Sequence, residues 1–425
     1  MSEQRGLKVK LISTAEQEQL FWQFVGTHRF AYNWALARQM EAFEKGESFI
    51  SYKDLHKELV ALKHTDPDFK WMNDISCDVA KQAIKDLDKA WSNYFKKQKE
   101  PNYVPYTKNK IIKAKRNNKP LTMYDRNGHP KFKKKLNCHE CFHQDCCHVE
   151  FKDNMVFVAK IGWVKIAKTG IFPEGKSGTD FKIYNAKIKT DGINWYFVGA
   201  IDVLDEKLNK VGDTPKSEPI GIDLGIKDLA ILSDGTVYKN INKTKKVKRL
   251  EKRMKRLQRK VSKKYQKNKK GDKYVKTSNT IKEEKKVLSI RHKLDNIRTN
   301  YRHQTTTAIV KRNPIFIALE DLNVRGMMKN KHLSKSISEQ GFGYFRTQLE
   351  YKCASNNIPL IFIDRWYPSS KTCSCCGYIK KDLKLSDRVY KCPICNSVMD
   401  RDLNASINIR NQGQIMYEKS IIKAH

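Results

Sequence analysis

Four cysteines near the end of the sequence have the spacing of a structural metal site. Two CxxC pairs are separated by fifteen residues, and this spacing is typical of a zinc ribbon with four thiolate ligands. Zinc would hold together an insertion that is too short to bury enough apolar surface by itself. Cys375 is crowded beside Cys376 and is not expected to be a ligand. The predicted zinc ligands are Cys373, Cys376, Cys392 and Cys395.

Three acidic residues in apolar surroundings form a second candidate site. Asp223 interrupts the strand-like stretch PIGIDL, Glu320 ends PIFIALE, and Asp402 directly precedes LNASINI, which predicts a short helix. A carboxylate in an apolar strand is costly to bury unless it binds a cation or pairs. Oxygen ligands without histidine suit two Mg²⁺ ions, or Mn²⁺, about 4 Å apart, which together hydrolyse a phosphodiester. Taken singly, each acid is more typical of a cap or turn; their order and context favour catalysis.

A third segment rich in cysteine and histidine runs from Cys138 to His148, with the sequence CHECFHQDCCH. It offers donors for a second zinc ion. However, the donors are too close together for all of them to serve one tetrahedral site. A loop with free thiols is the other interpretation, and the sequence does not decide between the two.

Hydrophobic periodicity indicates the elements that must position these residues. A capping box at Ser13–Glu16 predicts the start of one helix, and an apolar stripe within residues 78–98 predicts another. Alternating stretches at 7–12, 154–166, 180–190 and 194–203 predict strands of a β module, the last two joined by a turn at Asp191–Gly192. The aromatic residues of the second helix are interpreted as core rather than as base-stacking groups. The stripe consists of Ile84, Leu87, Trp91, Tyr94 and Phe95.

The charge of the chain points to a polyanionic partner. Lys and Arg number 84 against 46 acidic residues, which gives a formal net charge of +38. Residues 239–293 hold 24 Lys or Arg and 4 Asp or Glu and so carry +20 of that charge. Their apolar residues recur at helical spacing on both sides of KKGDK, which predicts two long helices in an antiparallel hairpin. A solvated coiled coil would suffer like-charge repulsion, so contact with phosphates is the favoured interpretation.

Composition also limits the location of the protein. No apolar run approaches the length of a membrane span, and the first residues, MSEQRGLKVK, lack the core of a signal peptide. We therefore expect a cytoplasmic protein without membrane contact, in which the presence of eleven cysteines suggests metal binding before disulfide formation.

Several motifs in this order resemble the TnpB family of transposon-encoded, RNA-guided DNA nucleases, which are ancestral to the compact type V CRISPR effectors. The most specific are GIDLG, ALEDLN, KTCSCCG, YKCPICN and DRDLNASINI, and HRFAYNWAL and PKFKKK add weaker support. The resemblance implies that Asp223, Glu320 and Asp402 are the acids of a RuvC-type nuclease site, with Asp400 a disfavoured substitute for the third. Cys375 and the Cys138–His148 segment depart from the family pattern, but neither touches these acids.

The fold class implied by the resemblance is multidomain α+β. It combines an RNase H-like (RuvC) α/β nuclease domain, a Cys₄ zinc-ribbon insertion, a wedge-like β-barrel and a helical recognition domain. The expected bounds are 1–14 and 104–208 for the barrel, 15–103 for the recognition domain, and 209–218 for a linker. They are 219–365 and 399–425 for the nuclease domain, which includes the basic hairpin 243–302, and 366–398 for the ribbon.

The expected function is RNA-guided, Mg²⁺-dependent cleavage of double-stranded DNA beside a short adjacent motif, in a prokaryotic cytoplasm. The guide RNA would derive from the transposon end, and a monomer is the favoured state. Base pairing would select the target, while the protein reads shape and the short motif. The alternatives are a CRISPR-associated compact effector, a guided regulator that does not cut, and a strand-joining transposase. The sequence leaves open the adjacent motif, the guide length and the cut positions.

Overall fold

A computed structural model describes residues 3–135, 140–167, 175–203, 216–271, 273–384 and 386–422. The chain divides into an N-terminal unit, residues 1–208, and a C-terminal unit, residues 209–425. Most of the expected linker 209–218 lies outside the described residues. In the described part of the chain, none of the helices has the length and apolar character needed to span a bilayer.

The N-terminal unit contains an eight-stranded antiparallel sheet. β1 lies between β5 and β8, so the first strand does join the sheet formed by the later ones. The segment 154–166, expected as one strand, is a hairpin of two, because Lys160 takes a positive φ of 66° at its turn. The strands are β1 (Glu3–Ile12), β2 (Cys141–His143), β3 (Glu150–Lys152), β4 (Met155–Val158), β5 (Gly162–Ile166), β6 (Gly175–Lys176), β7 (Ile183–Thr190) and β8 (Trp195–Val203).

The described part of the N-terminal unit also contains four α-helices: α1 (Ala15–Glu44), α2 (Tyr52–Thr65), α3 (Cys77–Gln98) and α4 (Lys108–Arg116). The capping box at the start of α1 is one residue later than expected, since Thr14 and Gln17 form it while the Ser13 hydroxyl bonds to Glu18. The apolar stripe of α3 is buried against α1 and α2, except that Phe95 is 43% exposed. The helix α4 interrupts a region that we expected to be entirely β-structured.

The C-terminal unit is built on a mixed five-stranded sheet in the order β11-β10-β9-β14-β15. β9 pairs in parallel with β14, and β14 with β15, whereas β10 is antiparallel to both of its neighbours. These strands are β9 (Ile220–Leu224), β10 (Asp228–Leu232), β11 (Val237–Lys239), β14 (Ile317–Glu320) and β15 (Leu360–Ile363). Short pairs are β12 (Lys269–Lys270) with β13 (Lys273–Tyr274), and β16 (Val389–Lys391) with β17 (Val398–Asp400).

Helices cover both faces of this sheet. The helices are α5 (Lys245–Lys267), α6 (Ser278–Val310), α7 (Val324–Met327), α8 (Ser334–Gln340), α9 (Phe342–Ser355) and α10 (Arg401–Ile422). Ile317 and Leu319 pack with the end of α6 and with α9, whereas Phe316 and Ala318 pack with Ile409 of α10. Side chains alternate between the faces of a strand, so residues 318 and 320 share the α10 face.

The basic segment forms the expected helical hairpin. Val247 of α5 packs against Ile290 and Leu294 of α6, with Leu250, Met254, Leu257 and Ile297 around them. The helix α6 is longer than predicted, because its last turn contributes Ile309 and Val310 to the core beneath the sheet. The hairpin is therefore anchored in the folded unit, while most of its lysines and arginines remain at least partly exposed.

Candidate active site and metal centre

The three acids lie on elements that the sheet and α10 bring together. The parallel register pairs Ile222 with Leu319, so Asp223 and Glu320 lie one residue further along two adjacent strands. Both acids share the α10 face of the sheet. Asp402 lies in the first turn of α10. All three residues line a single cavity of about 320 Å³.

Each acid has distinct partners around this cavity. The Ser369 hydroxyl donates to Glu320 Oε1 at 2.5 Å. Arg401 Nη2 lies 3.4 Å from Asp402 Oδ1, and Arg388 Nη1 lies 4.0 Å from Asp402 Oδ2. Ser369 and Arg401 were not singled out from the sequence, because nothing in their local context distinguishes them from ordinary polar residues.

The electrostatics of the cavity favour a bound cation. Burial, together with the charges of Glu320 and Asp402, raises the pKa of Asp223 to about 8, although Arg401 opposes the shift. Burial also raises the pKa of Glu320 against the effect of its hydrogen bond from Ser369. Carboxylates that disfavour one another's ionisation become stable anions when divalent cations bind between them. The donor set of three carboxylates fits Mg²⁺ or Mn²⁺.

Two neighbouring acids have structural roles. Asp321 pairs with Arg346 at 2.6 Å and with Arg365. Asp400 Oδ1 accepts hydrogen bonds from the backbone N–H groups of Asp402 and Leu403, at 2.9 and 3.2 Å, and so caps α10. Because the carboxylates of Asp321 and Asp400 are engaged in these contacts, Glu320 and Asp402 are the better candidates for metal ligands.

The four predicted zinc cysteines form one cluster in which all sulfur atoms lie within 4.8 Å of one another. Cys373 Sγ is 3.6 Å from Cys395 Sγ, and Cys376 Sγ is 3.5 Å from Cys392 Sγ. A tetrahedral zinc with Zn–S bonds of about 2.3 Å requires sulfur atoms about 3.8 Å apart. The four-cysteine cluster therefore fits zinc.

Hydrogen bonds prepare one of these thiols for metal binding. Burial disfavours the Cys373 thiolate, but hydrogen bonds from Ser397 and from the backbone N–H groups of Cys376 and Cys375 outweigh it and lower the pKa of Cys373 to about 6. The thiolate is the form that binds zinc.

Two asparagines of α10 fasten the start of the ribbon to this helix. Asn404 donates to Thr372 O at 2.7 Å and accepts from the Ser374 N–H at 2.9 Å. Asn408 donates to Ser369 O and Thr372 O at 2.8 and 2.6 Å. Both are buried, one helical turn apart. The sequence LNASINI places these polar residues four positions apart among apolar neighbours, and this spacing is the signal from which their buried role could be found.

Removing one cluster cysteine should release the zinc. We expect Cys392→Ser to lower the zinc content by one ion per chain and to unfold residues around β16 and β17, because the metal replaces a hydrophobic core in so short a segment. Atomic emission spectrometry of the dialysed protein measures the loss. Cys375→Ser is the matched control, since Cys375 is exposed and outside the cluster. Zinc retained by Cys392→Ser, or lost from the control, would contradict the ligand assignment.

Comparisons with known proteins relate the whole chain to one group. Residues 1–48 match a family model described as "Helix-turn-helix domain", residues 206–331 match "Probable transposase", and residues 342–409 match "Cas12f1-like, TNB domain". The "Putative RNA-guided DNA endonuclease InsQ" of Escherichia coli (strain K12) is 27% identical over 97% of this chain and 93% of its own length. A "Putative RNA-guided DNA endonuclease" of Streptomyces pristinaespiralis is 28% identical over 96% of this chain and 89% of its own.

The comparison with solved structures matches a mini-RNA-guided endonuclease, CRISPR-Cas phi3. That structure covers 96% of this chain and 92% of its own, at 11% identity and a TM-score of 0.46. A Cas12f1–sgRNA–target DNA complex covers 96% and 99% at 15% identity and a TM-score of 0.33.

Proposed function

We infer function from one premise, namely that the chain belongs to the TnpB family of transposon-encoded, RNA-guided DNA endonucleases. The chain is a TnpB-like RNA-guided DNA endonuclease. We propose further that it binds a transposon-end-derived guide RNA in the prokaryotic cytoplasm. With that guide it would cut both strands of target DNA beside a short adjacent motif, through a single site that holds Mg²⁺.

The observation that carries this proposal is the shared cavity of Asp223, Glu320 and Asp402. The strand pairing places the first two side by side, and the start of α10 adds the third. A mixed sheet with helices on both faces supports the RuvC-like α/β domain that the family resemblance implies. When bound there, two Mg²⁺ ions would supply an activated water and stabilise the leaving oxygen of the phosphodiester.

The residues around the acids have roles that follow from their contacts. The Ser369 hydroxyl orients Glu320, and the Asp400 carboxylate holds the first turn of α10 so that Asp402 faces the cavity. Arg388 and Arg401 bring positive charge to the same cavity, where a guanidinium would contact a phosphate oxygen. We propose that Asp223, Glu320 and Asp402 bind the metal and that these arginines position the DNA strand.

The hairpin of α5 and α6 supplies a separate surface for phosphates. Its apolar residues face inward between the two helices, which directs the lysines and arginines of residues 239–293 outward. A +20 segment of this kind binds nucleic acid by releasing counterions and gives a steep dependence on salt. We propose that this hairpin contacts the backbone of the guide RNA or of its duplex with the target.

The test is to sequence the RNA that copurifies with the full-length protein and then to reprogram it. We expect a transcript from the transposon end, and we expect cleavage to follow a new target when the guide portion is replaced. A library of flanking sequences would identify the adjacent motif. A repeat–spacer transcript would instead indicate a CRISPR-associated effector. Guided binding without cleavage in Mg²⁺ would contradict the nuclease proposal.

A further inference from the structure

Two histidines and an aspartate lie close together in the N-terminal unit, and none of them has a part in the function proposed above. His28 lies on α1, Asp86 on α3 and His143 on β2. Asp86 Oδ2 is 3.3 Å from His28 Nε2 and 3.5 Å from His143 Nε2. The three ligand atoms all lie within 4.8 Å of one another. The two imidazole rings face each other with centroids 5.9 Å apart and an interplanar angle of 19°.

These distances match the edges of a zinc coordination tetrahedron. Zn–N and Zn–O bonds of about 2.0–2.1 Å at tetrahedral angles place ligand atoms about 3.3–3.4 Å apart. An octahedral Mg²⁺ with bonds of about 2.1 Å would require a spacing of about 3.0 Å. Two imidazole nitrogens are also donors that suit zinc, whereas magnesium prefers oxygen ligands.

The direction of the His28 nitrogen supports a shared ligand rather than a simple hydrogen bond. His28 is only 3% exposed, and among the described residues its Nε2 has no hydrogen-bond partner, although Asp86 Oδ2 lies 3.3 Å away. The two atoms are close but not aligned as donor and acceptor. Buried polar atoms without partners are rare in native proteins, and a metal between them would satisfy both.

The surroundings fix the three side chains. α1 and α3 approach closely through Ala31, Ala35 and Ala83, which are fully buried. The Gln82 amide donates to Asp86 Oδ1 at 3.3 Å, which leaves Oδ2 to face the histidines. Outer hydrogen bonds of this kind orient metal-binding carboxylates.

We propose that His28, Asp86 and His143 bind a Zn²⁺ ion that joins α1, α3 and β2. The Asp86 side chain is 33% exposed, so water can occupy the fourth position from its open side. Among the described residues of the Cys138–His148 segment, only His143 takes part, and the other ligands come from two distant helices. Among the described cysteines of that segment, Cys141, Cys146 and Cys147 lie outside the cluster, while Cys138 lies outside the described residues.

The competing explanation is a metal-free ionic network in which protonated histidines neutralise Asp86. Lys133 exerts an opposing positive charge on His28, and its ammonium group lies 4.0 Å above the Tyr32 ring. A cation here must therefore gain its stability from direct bonds to three donors. The two explanations predict different zinc contents. Replacing one of the three ligands lowers the zinc content only if zinc is bound there, and leaves it unchanged in a metal-free ionic network.

The experiment compares zinc content in the full-length protein with and without these ligands. We expect His143→Asn and Asp86→Asn each to contain one zinc per chain fewer than the parent, after zinc saturation and dialysis. His148→Asn is the matched control, because His148 belongs to the same segment, is exposed and contacts Asp78 rather than the cluster. Equal zinc in parent and ligand variants would overturn the proposal, and so would a loss in the control.

Cobalt substitution guards against a variant that simply fails to fold. The absorption difference between Co²⁺-loaded parent and Co²⁺-loaded Asp86→Asn should show visible d–d bands of a tetrahedral site without thiolate charge transfer. Thiolate charge transfer in that difference, or no difference at all, would overturn the ligand set. The readout is metal content and not DNA cleavage, so it does not depend on the nuclease proposal.

Discussion

Replacing Asp223 with Asn should lower the rate of DNA cleavage about 10³-fold or more, while guide-RNA binding is retained. Asn keeps the shape of the side chain but loses the negative charge that would bind the metal. Losing several kcal/mol of charge stabilisation at the reacting phosphate corresponds to a loss of this size. Single-turnover cleavage of a labelled target measures the rate, and filter binding of the guide RNA measures affinity. Glu320→Gln and Asp402→Asn should behave in the same way.

Asp321→Asn is the matched control for these variants. Asp321 is adjacent to Glu320 and also carries a carboxylate, but it pairs with Arg346 and Arg365. We expect its replacement to change cleavage by only a few fold and to act mainly on stability. Full cleavage by Asp223→Asn would refute the assignment of the site, as would complete inactivation by Asp321→Asn.

The Asp223→Asn variant should also be more stable than the parent protein when metal is absent. Burial and the charges of Glu320 and Asp402 raise the pKa of Asp223 to about 8, so the folded state binds a proton that the unfolded chain releases near pH 4. The metal-free parent therefore loses stability as the pH rises between these two values, and Asn avoids that loss. We expect Asp223→Asn to raise Tm by roughly 3 °C at pH 8, with no gain near pH 4. This gain distinguishes a lost ligand from a misfolded protein.

Gly221→Ala should destabilise the C-terminal unit by about 3 kcal/mol and impair cleavage at least tenfold. A Cβ at Gly221 would overlap the carbonyl oxygen of Ser406 and lie 2.5 Å from the backbone nitrogen of Arg410. Both atoms belong to the backbone of α10, so the helix itself must move. Because Asp402 lies in the first turn of that helix, the displacement should separate it from Asp223 and Glu320. Thermal unfolding and cleavage rates at saturating Mg²⁺ measure the two effects.

Gly343→Ala provides the comparison for Gly221. Gly343 lies in α9, and a Cβ there would meet nothing within 4 Å. Alanine is a better helix former than glycine, so this variant should be neutral or more stable by up to about 1 kcal/mol. If Gly221→Ala were tolerated as well as Gly343→Ala, the close packing of α10 on β9 would not position the third acid.

Patterns within short segments of the sequence predicted the structural features that form within those segments. The helical spacing of Val247, Leu250, Met254 and Leu257 identified the hairpin, and two CxxC pairs identified the ribbon cluster. The acids were identified because a carboxylate in an apolar strand is anomalous, and the structure brings them to one cavity. Their roles as metal ligands remain predictions.

Features that depend on tertiary context were missed or misjudged. The sequence alternates in the same way on both sides of Lys160, so one long strand was expected where two form a hairpin. Phe95 belongs to the apolar stripe of α3, but α1 and α2 leave it 43% exposed. His28, Asp86 and His143 come from three elements separated by more than fifty residues, and no spacing rule joins them. The Gly221 contact likewise depends on a helix that begins 180 residues later.

The asparagine contacts of α10 connect the proposed zinc site to the proposed magnesium site. Asn404 and Asn408 connect the start of the ribbon to the helix that carries Asp402, and Ser369, whose carbonyl accepts from Asn408, donates its hydroxyl to Glu320. If zinc orders the ribbon, these contacts would also restrict Glu320 and Asp402. Because such coupling is reciprocal, Mg²⁺ bound at the proposed site would then strengthen zinc binding by the same factor. The zinc content of the ribbon would then influence how firmly the three acids are held for phosphodiester hydrolysis.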